Sequence, residues 1–384
     1  MAGVSFALAD FRSGGPILDL PIMEGASWSA QLNRADSLTC KIDMRDDDVK
    51  RLDLRSSTEP KKTVLVARTD DDVILAWGLI NEREWDEDKS TVTLNASGVL
   101  ASYFGRTRIM PATALTAPLT VLDAEGYSVI NPALDTKLTG WSLGTIAKKL
   151  VAQRLAWPGA PTAFILPADE VGIREREYLF SSLKPTGAAI TDLTNVENGP
   201  DIAFEAQRAS DGISLQYVMR HGSEANPRLG TAAGIWSLDG QSPITELKVK
   251  DDGDTVGSAA WLTAGKSAGT ALVTRALNPS LITNGGYPPL DLVDTTHSDV
   301  SEQATLDSYG AELIRFGGTL EREVSFSVQA DASPALGAYR PGDAIIIDVP
   351  SDHDYLVEDL KVRITSISGD EAGLKVKIGC VVYA

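Results

Sequence analysis

Apolar and polar residues alternate with a period of two along the first hundred positions. Leu38, Cys40 and Ile42 form one such run and Val64 and Val66 another, followed by Val73, Leu75, Trp77 and Leu79, then Val92 and Leu94. That period puts successive side chains on opposite faces of an extended chain, so each run predicts a half-buried strand. Acidic turns, Asp46-Asp47-Asp48 and Asp70-Asp71-Asp72, separate the runs. Short strands joined by polar turns predict a small barrel or sandwich over residues 1–105.

From residue 106 the period changes. Leu143, Ile146, Ala147 and Leu150 recur at offsets of three, four and seven, one face of a helix, with Ser142 placed to cap it and Pro158 just beyond its end. A second helix opens near Pro185, turns Ala189, Leu193 and Val196 inward, and stops at Asn198-Gly199. A hairpin follows. Ile202, Phe204 and Ala206 alternate, Ala209 to Gly212 reverse the chain, and Ile213, Leu215, Tyr217 and Met219 alternate back. Residues 106–230 therefore read as an α/β middle domain.

Over residues 231–384 the β pattern returns with one helix inserted. Asp299 and Glu302 have capping-box spacing, Leu306, Tyr309, Leu313 and Phe316 form an apolar stripe, and Gly317-Gly318 end it. Leu320, Val324, Phe326 and Val328 line one face of the next strand. Arg340-Pro341-Gly342-Asp343 then makes a tight corner that launches an apolar strand, Ala344 to Val349. Pro341 presets φ at the first central position, and Gly342 accepts the positive φ that a type II turn requires at the second. Leu360, Val362 and Ile364 alternate, as do Leu374, Val376, Ile378 and Cys380. The fold class is α+β, mainly β: two β modules flanking an α/β insert, with no sequence repeat of fixed period.

Composition narrows the function. The 384 residues are 43% hydrophobic and 23% charged, a folded chain of about two to three domains. A net charge of −18 argues against a sequence-specific nucleic-acid binder, which must neutralise phosphates with Lys and Arg. The same charge suits a protein that stays soluble at high density or repels a polyanion. No apolar run is long enough to span a membrane, and Met1 to Asp10 lacks the basic flank of a signal peptide. Cys40 and Cys380, the only cysteines, read as buried small hydrophobes; a disulfide is not required.

Candidate chemistry is thin. Gly265-Lys266-Ser267 resembles the end of a phosphate loop, but Ala260 stands where the motif needs glycine, so a flexible turn is expected. His221, His297 and His353 have no ligand spacing, and the neighbours in Asp352-His353-Asp354 point to opposite sides of an extended chain. The run from Glu82 to Asp88 reads as solvated strand ends, and Asp251-Asp252-Gly253-Asp254 lacks the calcium-loop pattern. No catalytic residue, cofactor or metal site is assigned, and the chain is not read as an enzyme.

Three local patterns, taken together, resemble the tail hub proteins of tailed bacteriophages, the siphophage-type minor tail proteins that share a fold with baseplate hubs. The first is Ala76-Trp77-Gly78-Leu79-Ile80, followed by Thr91-Val92-Thr93-Leu94 and Gly98 to Tyr103. The second is Gly140-Trp141-Ser142-Leu143 with the later segment Pro185 to Arg220, and the third is Tyr339-Arg340-Pro341-Gly342-Asp343. The resemblance implies two small tube-like β-barrels per chain and a homotrimeric hub at the virion tail tip. Such a hub adapts a sixfold tube to a threefold tip and forms part of the conduit for DNA ejection. Its partners would be distal tail and tube proteins above, and tip, fibre or tape-measure proteins below, with DNA passing through unbound.

A wall that does not bind phosphate suits such a conduit. Loops among Asp46, Asp47 and Asp48, Asp70, Asp71 and Asp72, and Asp251, Asp252 and Asp254 are therefore candidates to face the lumen, and Arg340 to Asp343 the structural corner. A tail-associated cell-wall hydrolase and a distal tail ring or secretion-spike hub remain the alternatives.

Overall fold

The computed structural model describes residues 3–23, 25–239, 242–267, 270–297, 300, 302–318 and 320–382. The first β module contains β1 (Val4–Asp10), β2 (Leu18–Leu20), β3 (Ser27–Gln31), β4 (Ser37–Asp43), β5 (Thr63–Thr69), β6 (Ile74–Asp86) and β7 (Thr91–Ser97). Single-turn helices α1 (Asp47–Lys50), α2 (Leu54–Ser57) and α3 (Val99–Ser102) lie among and after them. The middle region holds β8 (Thr120–Leu122), β9 (Ser128–Ile130), β10 (Thr136–Trp141), α4 (Leu143–Leu155), β11 (Phe164–Ile165), β12 (Val171–Tyr178), α5 (Thr186–Thr194), β13 (Ile202–Arg208) and β14 (Leu215–His221). Then come β15 (Ala232–Ser237), β16 (Ile244–Asp252), β17 (Ala259–Ser267), β18 (Thr270–Leu277), α6 (Pro279–Thr283), β19 (Asp291–His297) and α7 (Gln303–Gly317). The chain closes with β20 (Glu321–Gln329), β21 (Ala344–Asp348), β22 (Leu360–Asp370) and β23 (Lys375–Val382).

The two β modules are fused. Strand β22 pairs antiparallel with β3, from Ser366 opposite Gln31 to Asp370 opposite Ser27. One sheet therefore runs β16-β20-β23-β22-β3-β4-β7-β6-β5-β1-β2, with β21 paired to β22 and β15 to β21. Its inner face encloses a single core drawn from both ends of the chain: Phe6, Leu8, Trp28, Leu38 and Ile80 pack with Trp236, Phe326, Ile347 and Ile378. Cys40 and Cys380 lie in this core as free buried thiols, and burial pushes the Cys40 thiol up to about 12.

A second core lies on the opposite face of β1, β5 and β6. There Ala9, Val64, Val66, Trp77 and Leu79 pack against α4, α5 and the β13–β14 hairpin. The same core takes in Ala260, Leu262, Leu272, Leu306 and Tyr309, where α7 lies over the three-stranded sheet β18-β17-β19. Strands covered on both faces cannot show a clean alternation, and β5 is accordingly an apolar run, with Val64, Leu65, Val66 and Ala67 all buried.

Local patterns hold where local physics decides them. Ser142 caps α4 by accepting the Thr145 N–H at 3.2 Å, and Leu143, Ile146, Ala147 and Leu150 are buried. Ala189, Leu193 and Val196 are buried as expected, and α7 ends at Gly317. Some readings need correction. Phe316 is 55% exposed, with Arg315 stacked over its ring, because Gly317 takes the inward position in the last turn of α7, so close to the sheet that a Cβ there would sit 2.3 Å from Leu292. Ile213 is exposed and precedes β14. Gly265 to Ser267 continue β17, since Lys266 and Ser267 pair with Ala271 and Thr270 of β18. Asp47 and Asp48 form the start of α1, capped by Asp46, and not an open turn. Asp299 of the expected capping box lies outside the described residues; Glu302 occupies the N-cap position without a side-chain cap.

Candidate functional site: the junction of the modules

The Arg340-Pro341-Gly342-Asp343 corner holds the modules together. Its turn bond runs from the Asp343 N–H to the Arg340 carbonyl at 3.1 Å, and Gly342 has φ +105° as the type II geometry demands. Asp343, nearly buried, accepts the Arg340 N–H at 2.8 Å and the Thr231 N–H at 2.7 Å. The corner thereby fastens the strand it launches to the segment entering β15. Gly230 approaches so closely that a Cβ there would sit 2.3 Å from the Gly342 carbonyl oxygen.

Beneath the corner lies Asp201, fully buried just before β13. Its carboxylate is clasped by the guanidinium of Arg363 from β22, with Arg228 at 3.6 Å. It also accepts the Leu229 N–H at 2.7 Å and a bond from the Asn33 side chain at 3.2 Å. Arg363 in turn reaches the Gly342 carbonyl at 2.9 Å. Segments from the first β module, the middle region and the second β module thus meet on one carboxylate. A buried charge is tolerable only with cations and donors around it, and this one has both.

Beside the clamp is a cavity of about 330 Å³, walled by Leu75 and Trp77 of β6, Asp36, Phe204 and Arg208 of β13, and Pro341. Trp77 bridges it: its indole N–H donates to the Phe204 carbonyl at 2.8 Å, and its ring stacks on Tyr217 at 4.4 Å. Asp36 accepts the Gln31 N–H at 3.1 Å and the Trp77 N–H at 3.4 Å. The residue keeps part of its surface, which faces this cavity.

The nine candidate acidic residues do not form one cluster. Asp72 is locked between Arg68 at 2.6 Å and Arg208, tying the β5–β6 turn to β13. Asp47 pairs with Lys50 and Asp48 with Arg51, while Asp251 pairs with Arg322 and Asp252 with Lys250. Arg322 holds the Asp251 carboxyl below the ordinary carboxylate range, and Lys250 does the same for Asp252. Asp70 accepts the Gly3 N–H at 3.0 Å. The sheet register puts Asp46 to Asp48 at one end of the strands, beyond Asp43 opposite Thr91. Asp70 to Asp72 and Asp251 to Asp254 lie at the other end, next to Ile74 and beyond Glu321 opposite Asp252.

The three histidines sit on separate elements with local partners. His221 Nδ1 meets the Gly222 carbonyl at 2.8 Å, and His297 pairs with Asp294 at 3.0 Å. His353 Nδ1 accepts the Leu356 N–H at 3.0 Å. Among the described residues no group of three or more His, Cys, Asp or Glu could hold a metal ion.

Sequence reasoning identified the corner but missed Asp201, Arg363, Asn33 and Asp36. Asp201 follows Asn198-Gly199-Pro200, which reads as a turn, and its partners Asn33 and Arg363 are more than a hundred positions away. A lone acid directly before an apolar strand was the only available signal.

No protein-family profile matches the chain, and no curated protein matches it by sequence. Solved structures do. The chain is similar to the tail protein from Neisseria meningitidis MC58, with TM-score 0.56 and 16% identity, covering 99% of this chain and 96% of that one. It is also similar to the 43 kDa tail protein of prophage MuSo2 from Shewanella oneidensis, with TM-score 0.57 and 12% identity, covering 98% of both chains. At identities this low the likeness shows the fold alone, mainly β with several sheets and shared with these phage tail proteins.

Proposed function

We propose that this chain is a structural tail protein that assembles as a trimeric hub at the distal end of a phage-type tail and forms part of the ejection conduit. The observation that carries the reading is the end-to-end likeness in fold to two tail proteins. The continuous sheet supports it. It joins strands from both ends of the chain through β22 and β3; counted as two tube-like units per chain, three chains would supply the six that a sixfold tube requires.

Within this reading, the charge that keeps DNA off the wall comes from acids without cation partners. Among the described residues Asp70, Asp71 and Asp254 are exposed without an ion pair at one end of the sheet, and Asp46, Glu87 and Asp88 at the other. Partners are the distal tail and tube proteins on one side and tip, fibre or tape-measure proteins on the other.

Native mass spectrometry of the purified chain tests the assembly. A three-chain species supports the hub. A six-chain ring would favour a distal ring protein, and an inert monomer at high concentration would overturn the reading. Loss of a cell-wall-cleaving activity on replacing the three histidines, with assembly intact, would favour the hydrolase.

A further inference from the structure

The cavity at the junction is faced by six charged side chains. The β3–β4 turn contributes Arg34 and Asp36, the β5–β6 turn Asp72, β13 Glu205 and Arg208, and the corner Arg340. Four of them neutralise one another: Asp72 pairs with Arg208, and Glu205 with Arg340 at 3.1 Å. Arg34 is exposed. Asp36 has its two backbone N–H donors, and no ion pair reaches it among the described residues. Across the cavity Trp77 connects the two sides, its backbone N–H donating to the Asp36 carboxylate and its indole N–H to the Phe204 carbonyl of the hairpin.

We propose that Asp36 makes this cavity a proton-sensitive joint between the first β module and the middle hairpin. Protonated, its carboxyl is a neutral group that shares the wall with Leu75, Trp77 and Phe204. Ionised without a cation, it draws water into the cavity and loosens the contact of Trp77 with β13. The electrostatics run the same way. Desolvation raises the Asp36 carboxyl from 3.8 to about 7 against the pull of its two N–H bonds, and the Glu205 carboxylate adds repulsion. Because the folded value lies above the unfolded one, the joint is tightest below about pH 4 and loses that stability as pH rises to about 7. The neighbouring Asp201 clamp, with two arginines on it, holds the rest of the junction while the joint opens.

Amide exchange at Trp77 and Phe204 tests the joint, comparing the unmodified chain with Asp36→Asn at each pH so that intrinsic exchange rates cancel. The unmodified-to-variant rate ratio should rise at least about tenfold between pH 5 and pH 8; a flat ratio would overturn the proposal. Asparagine also alters the acceptor at the Trp77 N–H, so the unmodified chain supplies an independent reading. Carbon-13 NMR should place the Asp36 carboxyl midpoint near 7, with Trp77 emission changing at the same pH. A midpoint near the ordinary carboxylate value of about 4 would overturn the joint even if the variant does not fold.

Discussion

Asp201 and Asp36 lie at the same junction, and their surroundings differ in one respect. Asp201 is fully buried but holds Arg363, Arg228 and two further donors. Asp36 has two backbone donors and no cation. Burial alone does not set the role of a carboxylate; the cations that come with it do. The paired acid behaves as a fastener whose removal is costly. The unpaired one is a strained group that the junction tolerates at neutral pH, and its removal should help.

The most severe break of this contrast is Arg363→Ala. It strands Asp201 in a closed site, and stability by urea denaturation should fall by about 3–5 kcal/mol. A loss under about 1 kcal/mol would place Asp201 beside Asp36 and dissolve the comparison. The opposite sign is expected at Asp36. Asp36→Asn should stabilise the fold by about 2–4 kcal/mol at pH 8, less than the full linkage value of a rise from 3.8 to about 7 because the carboxyl keeps part of its surface. That gain should build up as pH rises from about 4 to 7 and nearly vanish below 4, which thermal melts across this range would show.

Gly342→Ala sharpens the picture at the corner above both acids. Its φ of +105° and a Cβ placed 3.2 Å from the Leu229 carbonyl oxygen should cost about 1–3 kcal/mol. The smallest effect is expected at Ser142→Ala, which removes the α4 cap in the middle region for about 1 kcal/mol. That loss should be the same at pH 5 and pH 8. A pH-dependent loss at Ser142 would mean the titration assigned to Asp36 belongs to the whole fold.

What could be read beforehand was what neighbours in sequence decide. The cap and apolar face of α4, the inward face of α5, the β13–β14 hairpin and the Arg340 to Asp343 turn each follow from residues within a few positions of one another. The mainly β class followed from the alternating runs. Some failed readings were local: Asp47 and Asp48 start a capped helix, and Gly265 to Ser267 continue a strand that pairs a few positions on. Others met a distant surface. Phe316 has the spacing of a core residue but Gly317 takes the inward position against Leu292, and Asp72 looks like a solvated turn acid but is taken by Arg208, 136 positions away.

By itself, then, the amino-acid sequence determined where the chain turns, which segments become helix or strand, and the net charge that argues against binding nucleic acid. Only the tertiary structure decided that β22 joins β3, and that β5 is buried on both faces. It alone brought Asp201 to Arg363, 162 positions apart, and set Asp36 on a cavity wall with two backbone donors and no ion pair among the described residues. Turn and helix preferences are set by bonds closed over three or four residues. Strand pairing and buried charge depend on which surfaces meet, and nothing local to Asp36 or Asp201 records whether an arginine will arrive.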